Sequence, residues 1–356
     1  MSTNGQPQQS EQGPEQVPER PDQRHAERPE QPGQPERSDL REPEHPAPRR
    51  TERAERAGQT ERTGQTGRRS DGQWYPAEWP DRIRALTAGE LVPVDARPAA
   101  TVMLLRDAPE GPEVHMLRRR TSMAFAGGAY AYPGGGVDPR DEQPVRWAGP
   151  GLETWAARLG LDDPARAQAV VCAAVRETYE EAGVLLAGET ADGVVGDTTG
   201  ADWERDREAL VARELSFADF LDRRGLVLRS DLLGAWARWI TPEFERRRYD
   251  TWFFVAALPA GQRTRNASTE ADRTVWTRPA EAAAGYDRGE LTMMPPTIST
   301  LRTLEPYGTA ARALAAAGER DLAPVLARAR LEGDELVLSW PGHEEFTKIV
   351  PLGGAR

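Results

Sequence analysis

The sequence predicts an α/β fold. Short apolar runs of strand character alternate with stretches of helical period, several helices open on proline, and no internal repeat is present. Ala99-Ala-Thr-Val-Met-Leu-Leu105 and Val114-His-Met-Leu117 read as strands around a turn at Pro109-Glu-Gly-Pro112. Leu152, Trp155, Ala156 and Leu159 recur at i, i+3, i+4 and i+7, the spacing of a small amphipathic helix. A longer helix is expected from Pro164 to about Gly183. Residues 203–224 look helical and charged. Trp236–Ile240, Thr251–Leu258 and Thr274–Trp276 read as strands, and Pro279 and Pro295 each sit where a helix's first turn accepts proline. A hairpin-like piece around Glu335-Leu-Val-Leu-Ser339 closes the chain.

Residues 1–72 differ from the rest. They are dominated by Pro, Glu, Gln, Arg and Gly, and Met1, Val17 and Leu40 are their only large apolar side chains. Such a segment buries too little apolar surface to offset its ordering entropy, so a disordered tail is expected there. It holds 12 basic and 14 acidic residues, which leaves most of the net charge of −11 on the remainder. That acidity argues against general nucleic-acid binding. No apolar run is long enough to span a bilayer and no signal peptide opens the chain, so a cytoplasmic protein is expected. The single cysteine, Cys172, excludes an internal disulfide and is read as a buried small apolar residue. His25, His45, His115 and His343 are too few and too scattered for a histidine-rich metal site.

The chemistry concentrates in Arg176-Glu-Thr-Tyr-Glu-Glu-Ala-Gly-Val184. At 100° per residue Glu177, Glu180 and Glu181 share one helix sector, roughly opposite Val175, so the carboxylates are expected outside the core. Three like charges at i, i+3 and i+4 repel by a few tenths of a kcal/mol per pair. A hard divalent cation with oxygen ligands reverses that cost, and Mg²⁺ or Mn²⁺ is the natural candidate. The glycine run Tyr132-Pro-Gly-Gly-Gly136 upstream frees the backbone for tight curvature and close approach to a ligand.

These residues resemble the Nudix box, Gly-x5-Glu-x7-Arg-Glu-U-x-Glu-Glu-x-Gly-U, where U is a bulky apolar residue. Gly136 and Glu142 match its first half and Arg176–Val184 its second. Two departures stand out: Thr178 occupies the first U, and residues 143–175 replace the seven-residue spacer with 33, an insertion of 26. A long surface insertion is entropically tolerable, since each doubling of loop length adds only about 0.6 kcal/mol. The surrounding Met116-Leu-Arg-Arg-Arg-Thr-Ser-Met123, Arg238-Trp-Ile-Thr-Pro-Glu-Phe-Glu245 and Arg248-Tyr-Asp-Thr-Trp-Phe-Phe254 are similar to the Nudix subgroup of peroxisomal coenzyme A diphosphatases, which also carries an insertion inside the box.

The resemblance implies an α/β/α sandwich around a mixed sheet, with a Nudix domain over residues 95–305 and a helical and hairpin extension over 306–356. It implies Mg²⁺- or Mn²⁺-dependent hydrolysis of a phosphoanhydride in a small nucleotide substrate. Coenzyme A or an acyl-coenzyme A is the first expectation and ADP-ribose or a dinucleotide the second. A non-catalytic nucleotide sensor is the alternative of another class, disfavoured because a sensor has no need of all three glutamates. By residue-for-residue carry-over, Glu180 and Glu181 are metal ligands, Glu177 is a ligand or the general base, and Arg176 orients a box glutamate. Glu142, Glu243, Glu245 and Glu270 are candidates to complete the site. Arg118, Arg119 and Arg120, with Gly135 and Gly136, are candidates for substrate contacts. A homodimer is left open.

Overall fold

The computed structural model describes residues 78–351 apart from 124–125 and 333–334, together with the dipeptide strands β1 (Gly67–Arg68) and β2 (Trp74–Tyr75), which pair antiparallel. The rest of the tail expected over 1–72 lies outside the described residues. Helix α1 (Trp79–Thr87) leads into two long strands, β3 (Arg97–Ala108) and β4 (Gly111–Arg119). Two short strands follow, β5 (Tyr130–Ala131) and β6 (Gly134–Gly136). Then come β7 (Trp147–Ala148), α2 (Leu152–Leu159), α3 (Pro164–Ala182) and β8 (Ala187–Gly188). Helices α4 (Ala201–Val211) and α5 (Phe217–Arg223) precede β9 (Val227–Arg229), β10 (Leu233–Ile240), β11 (Tyr249–Ala257) and β12 (Ala271–Thr277). The chain continues through α6 (Pro279–Asp287), α7 (Pro295–Leu304) and α8 (Ala310–Ala316). The short β13 (Val325–Leu326) is followed by a three-stranded antiparallel sheet of β14 (Arg328–Glu332), β15 (Glu335–Ser339) and β16 (Lys348–Pro351).

The central sheet is mixed. Its order is β12-β4-β3-β11-β10-β13, with β5 added on β4 and β6 on β3. The pairs β3–β11 and β10–β13 are parallel, and the remaining pairs are antiparallel. The central strands are apolar on both faces, as strands covered on both sides must be. Val102, Leu104, Trp252 and Phe254 belong to one core, packed with α2, α3, α4 and α5. Met103, Leu105, Phe253 and Val255 alternate with them and face a second core with α1, α6, α7 and α8. This is the expected α/β/α layering. Among the described residues no helix is long and apolar enough to cross a membrane.

The expected elements α2, α3, α6 and α7 form where their signals place them. Helix α3 starts with Asp163 accepting the Ala165 N–H (2.9 Å) and Pro164 in its first turn. It stops at Gly183, whose φ of 71° is left-handed and whose absent side chain leaves room for the Arg265 guanidinium. The stretch 203–224 is two helices rather than one, interrupted where Arg213 takes a left-handed φ and Ser216 caps α5 by accepting the Asp219 N–H. Cys172 is buried in the first core, where burial pushes its thiol pKa up.

His115, on β4, is fully buried beside Trp276 (ring centroids 5.1 Å apart), and neither ring nitrogen has a hydrogen-bond partner among the described residues. Burial, with the nearby Arg106 charge, lowers its pKa to about 4. The unfolded chain, with an ordinary histidine pKa near ~6.5, binds this proton more readily than the folded one. Stability contributed by neutral His115 is therefore complete above about pH 6.5 and is lost as pH falls through 4. His115→Leu should flatten this acid limb and, by removing an unsatisfied buried polar group, stabilise the protein by about 1 kcal/mol at pH 7. Urea melts from pH 4 to 7.5 check both; an unchanged acid limb would rule out His115 as its source.

Candidate active site

The acidic face of α3 is enclosed instead of solvated. The Glu177 and Glu180 side chains are 14% and 12% exposed and belong to neither apolar core, lying instead in a polar cavity. The enclosure comes from α4 and α5, which close over the C-terminal turns of α3. Tyr179 stacks on Phe220 (5.2 Å) and donates to the Trp203 carbonyl (2.7 Å). Buried Arg207 donates to the Glu180 carbonyl (2.8 Å), so a cation covers an orphan carbonyl of the helix's last turn. Thr178 is buried at the first U position because its hydroxyl bonds the Ala174 carbonyl one turn back (2.7 Å).

A cavity of about 180 Å³ results. Arg176, Glu177, Glu180 and Glu181 line it from α3, Asp138, Arg140 and Asp141 from the turn after β6, and Ala267–Glu270 from the loop before β12. Leu210, Val211, Arg213, Leu215 and Phe217 form a wall at the α4–α5 junction.

Arg176 organises this space. Its Nε donates to Asp141 Oδ1 (3.0 Å) and its Nη2 to Asp141 Oδ2 and the Gly136 carbonyl (2.9 Å each). Nη1 reaches Glu177 (2.7 Å) and Glu180 (3.2 Å). Burial alone would lower the Arg176 pKa, but the bonds to Asp141 and the carboxylate charges outweigh it and raise the pKa. Asp141 is absent from the sequence expectations, and it takes the place expected for Glu142. Asp138 caps the short 3₁₀ turn Pro139–Glu142 and its own N–H donates to Asp141 (2.9 Å), which turns Asp141 inward and leaves Glu142 exposed. Gln168, also unforeseen, donates from two turns up α3 to the Gln143 carbonyl (2.8 Å) and so ties the end of the same turn.

The glycine run behaves differently from expectation. None of Gly134, Gly135 and Gly136 has a left-handed φ; they form the extended strand β6 beside Ala99–Thr101 of β3. What matters is close approach: a Cβ on Gly135 would lie 2.5 Å from the Glu177 carboxylate. The Gly134 N–H donates to Glu181 (2.9 Å) and the Ser268 hydroxyl to the other Glu181 oxygen (3.2 Å).

Burial, with Glu180 nearby, raises the Glu177 pKa to about 7 against the pull of Arg176. Burial, with the Glu177 and Glu270 charges, raises that of Glu181 to about 8. Burial also raises the pKa of Glu180. Of the other expected residues, Glu270 lines the cavity, whereas Glu243 and Glu245 do not. Glu243 is exposed, and Glu245 accepts from Trp79 on α1 (2.8 Å). Arg118, Arg119 and Arg120 do not line the cavity either. Arg118 is paired with Asp272 across β4–β12 (2.7 Å), Arg119 lies 3.5 Å from Glu270, and Arg120 is exposed.

The donor chemistry suits a hard cation, because Asp141, Glu177 and Glu180 share one buried guanidinium while Glu181 lies beside them with no cation of its own among the described residues. Among the described residues no three His, Cys, Asp or Glu side chains converge as a ready-made metal cage.

The NUDT19 Nudix domain family matches residues 156–304, which include the whole acidic cluster. The chain carries a Nudix domain. It is 25% identical over 227 residues to the acyl-coenzyme A diphosphatase NUDT19 of Xenopus laevis, covering 54% of this chain and 59% of that protein. It is 27% identical over 250 residues to the protein of the same name from Gallus gallus, covering 56% and 65%. The matched region thus spans less than two thirds of either relative. A crystal structure of a Nudix hydrolase from Alicyclobacillus acidocaldarius superposes with a TM-score of 0.54 at 29% identity, covering 65% of this chain and 99% of that one. Nudix hydrolases generally use divalent metals.

Asp141→Asn should cost about 3 kcal/mol in urea unfolding, since it strips a buried guanidinium of its main counter-ion. Glu142→Gln should stay within about 0.5 kcal/mol of wild type, as an exposed substitution does. Equal losses in the two variants would contradict the inward placement of Asp141.

Proposed function

We propose that the protein is a Mg²⁺- or Mn²⁺-dependent pyrophosphohydrolase that cuts the phosphoanhydride of a nucleoside diphosphate derivative, with coenzyme A or an acyl-coenzyme A as substrate. The observation that carries the reading is the surplus of carboxylates over cations in a recessed pocket on the Nudix helix. Enclosing Glu177, Glu180 and Glu181 costs stability unless a cation joins them. The coenzyme A assignment draws on the names of the two acyl-coenzyme A diphosphatase relatives.

Glu180 and Glu181 are assigned as ligands and Glu177 as ligand or general base. A divalent cation bound there supplies charge to the phosphoryl oxygens and lowers the pKa of an attacking water. Arg176 holds Glu177 and Glu180 in place from behind, with Asp141 and the Gly136 carbonyl fixing the guanidinium plane. The Gly134 N–H and Ser268 hydroxyl fix Glu181. Glu270, on the loop opposite, adds a further carboxylate. The apolar wall at Leu210, Leu215 and Phe217 keeps bulk water from one side, which strengthens every charge interaction inside.

Glu181→Gln keeps the shape and removes one charge, so turnover of coenzyme A at saturating Mg²⁺ should fall by orders of magnitude with the melting temperature preserved. Wild-type-like turnover would sink the assignment. Coenzyme A should also be cleaved with roughly ten- to a hundred-fold higher kcat/KM than dephospho-coenzyme A, whose missing 3′-phosphate removes a charge-assisted contact. Equal rates, or a preference for ADP-ribose, would remove the coenzyme A substrate and leave the hydrolase.

Metal affinity should depend on pH in a set direction. With Glu177 near 7 and Glu181 near 8 in the metal-free protein, both carboxylates are partly protonated at pH 7. A cation binds their ionised forms, so Mg²⁺ binding should release protons at pH 7 and tighten as pH rises toward about 8.5. Calorimetric titration in buffers of different ionisation enthalpy measures this release; a proton count of zero would contradict the assignment of these glutamates as ligands.

A further inference from the structure

Arg213 has three properties that the reading above does not use. Helix α4 ends at Val211, and the chain reverses with Arg213 N–H donating to the Leu210 carbonyl and Glu214 N–H to the Ala209 carbonyl (2.9 Å each). The residue at such a reversal adopts a left-handed φ and is usually glycine; here it is an arginine at φ 60°. An L side chain is disfavoured there, and local rules of this kind are broken chiefly at functional positions.

Arg213 also lines the carboxylate cavity. Its charge is uncommitted: among the described residues no hydrogen bond, ion pair or aromatic ring engages its guanidinium. The other arginines of the cavity are committed. Arg176 is shared among Asp141, Glu177 and Glu180, and Arg140 makes a two-point contact with Asp138 (3.0 and 2.9 Å). Arg140 in addition donates from Nη1 to the Arg213 carbonyl (3.0 Å). The Arg213 backbone is thus pinned at its N–H by α4 and at its carbonyl by the turn that carries Asp141, while its side chain has no partner among the described residues.

We propose that Arg213 is a specificity-determining contact for the phosphate of an anionic nucleotide at the α4–α5 wall. A pocket floored by carboxylates repels a diphosphate wherever a bound cation does not intervene. A guanidinium on the wall offsets that repulsion and offers two parallel donors to a non-bridging phosphate oxygen pair. A pinned backbone lowers the ordering cost of making that contact. The inference rests on the hydrolase reading for the identity of the substrate, but not for the presence of a phosphate subsite.

The test compares wild type with Arg213→Gly, Arg213→Asn and Arg213→Lys. Glycine and asparagine both tolerate the left-handed backbone, so one remains informative if the other folds poorly. Binding of ADP in Mg²⁺ is measured by calorimetry, melting temperature by calorimetric scan, and steady-state kinetics with coenzyme A. Arg213→Gly should melt at or above the wild-type temperature, yet bind ADP about tenfold or more weakly and raise KM by a similar factor with kcat within about twofold. Arg213→Lys should recover part of the affinity, since it keeps the charge and loses the planar fork. An equal or higher melting temperature with unchanged ADP affinity and KM would show that the arginine is incidental and overturn the proposal. Failure of the wild type to bind ADP would overturn it as well. Absence of turnover on every nucleotide, with ADP binding weakened in Arg213→Gly, would instead overturn the hydrolase reading and leave the phosphate contact standing.

Discussion

The buried guanidinium of Arg176 is the constraint on which the site depends. It joins two pieces of chain distant in sequence: helix α3, and the segment running from strand β6 into the 3₁₀ turn, held through the Gly136 carbonyl and Asp141. Its partners are also what make it tolerable, because an arginine only 8% exposed must have its donors satisfied and its charge matched. The match is over-complete, with three carboxylates in direct contact and Glu181 just beyond. One cation therefore sets the positions of the glutamates without neutralising them, and the residual negative charge is available to a metal ion.

That arrangement needs a helix placed against the sheet with its acidic end closed off. Small residues on α3, Ala167, Ala173 and Ala174, let it lie close to β3, and strand β6 can pass beneath Glu177 only because Gly135 has no side chain. Closure on the remaining side falls to α4 and α5, through Tyr179, Trp203 and Phe220. The aromatic cluster thus does more than add apolar area. It fixes the distance between the glutamates and the α4–α5 wall, and so the width of the cavity.

Much of this is readable in the sequence where the signal is local. Pro164 and Gly183 bound the acidic helix, and the spacing of Leu152, Trp155, Ala156 and Leu159 gives α2. The shared sector of Glu177, Glu180 and Glu181 follows from helix geometry alone. What the sequence hides depends on distant partners. The exchange of Glu142 for Asp141 turns on a capping interaction at Asp138 and on an arginine 35 residues away. The Arg118–Arg120 cluster looks available until β12 pairs with β4 and brings Asp272 to Arg118 and Glu270 to Arg119. Even the acidic sector, placed on one helix face by its spacing, gives no sign of its enclosure, because nothing near it in the chain announces that α4 and α5 will cover it.

The long insertion between the two halves of the box follows from the same logic. As a flexible loop, lengthening the spacer from seven residues to 33 would add about 1.4 kcal/mol of closure entropy. The inserted residues are not a loop, however. They include α2 and the first twelve residues of α3, so the acidic helix is extended towards its N-terminus by about three turns. Trp155, Ala156 and Leu159 pack in the same core as Val171 and Val175, and Trp252 on β11 donates to the Leu159 carbonyl (3.0 Å). The extension also carries Gln168, whose amide holds the 141–143 carbonyls. A helix pair that buries its own apolar face and grips the far end of the turn thus helps to hold the two halves of the box together. The insertion's added length is thus absorbed by packing and by the helix itself, and the Arg176–Asp141 contact stays in place.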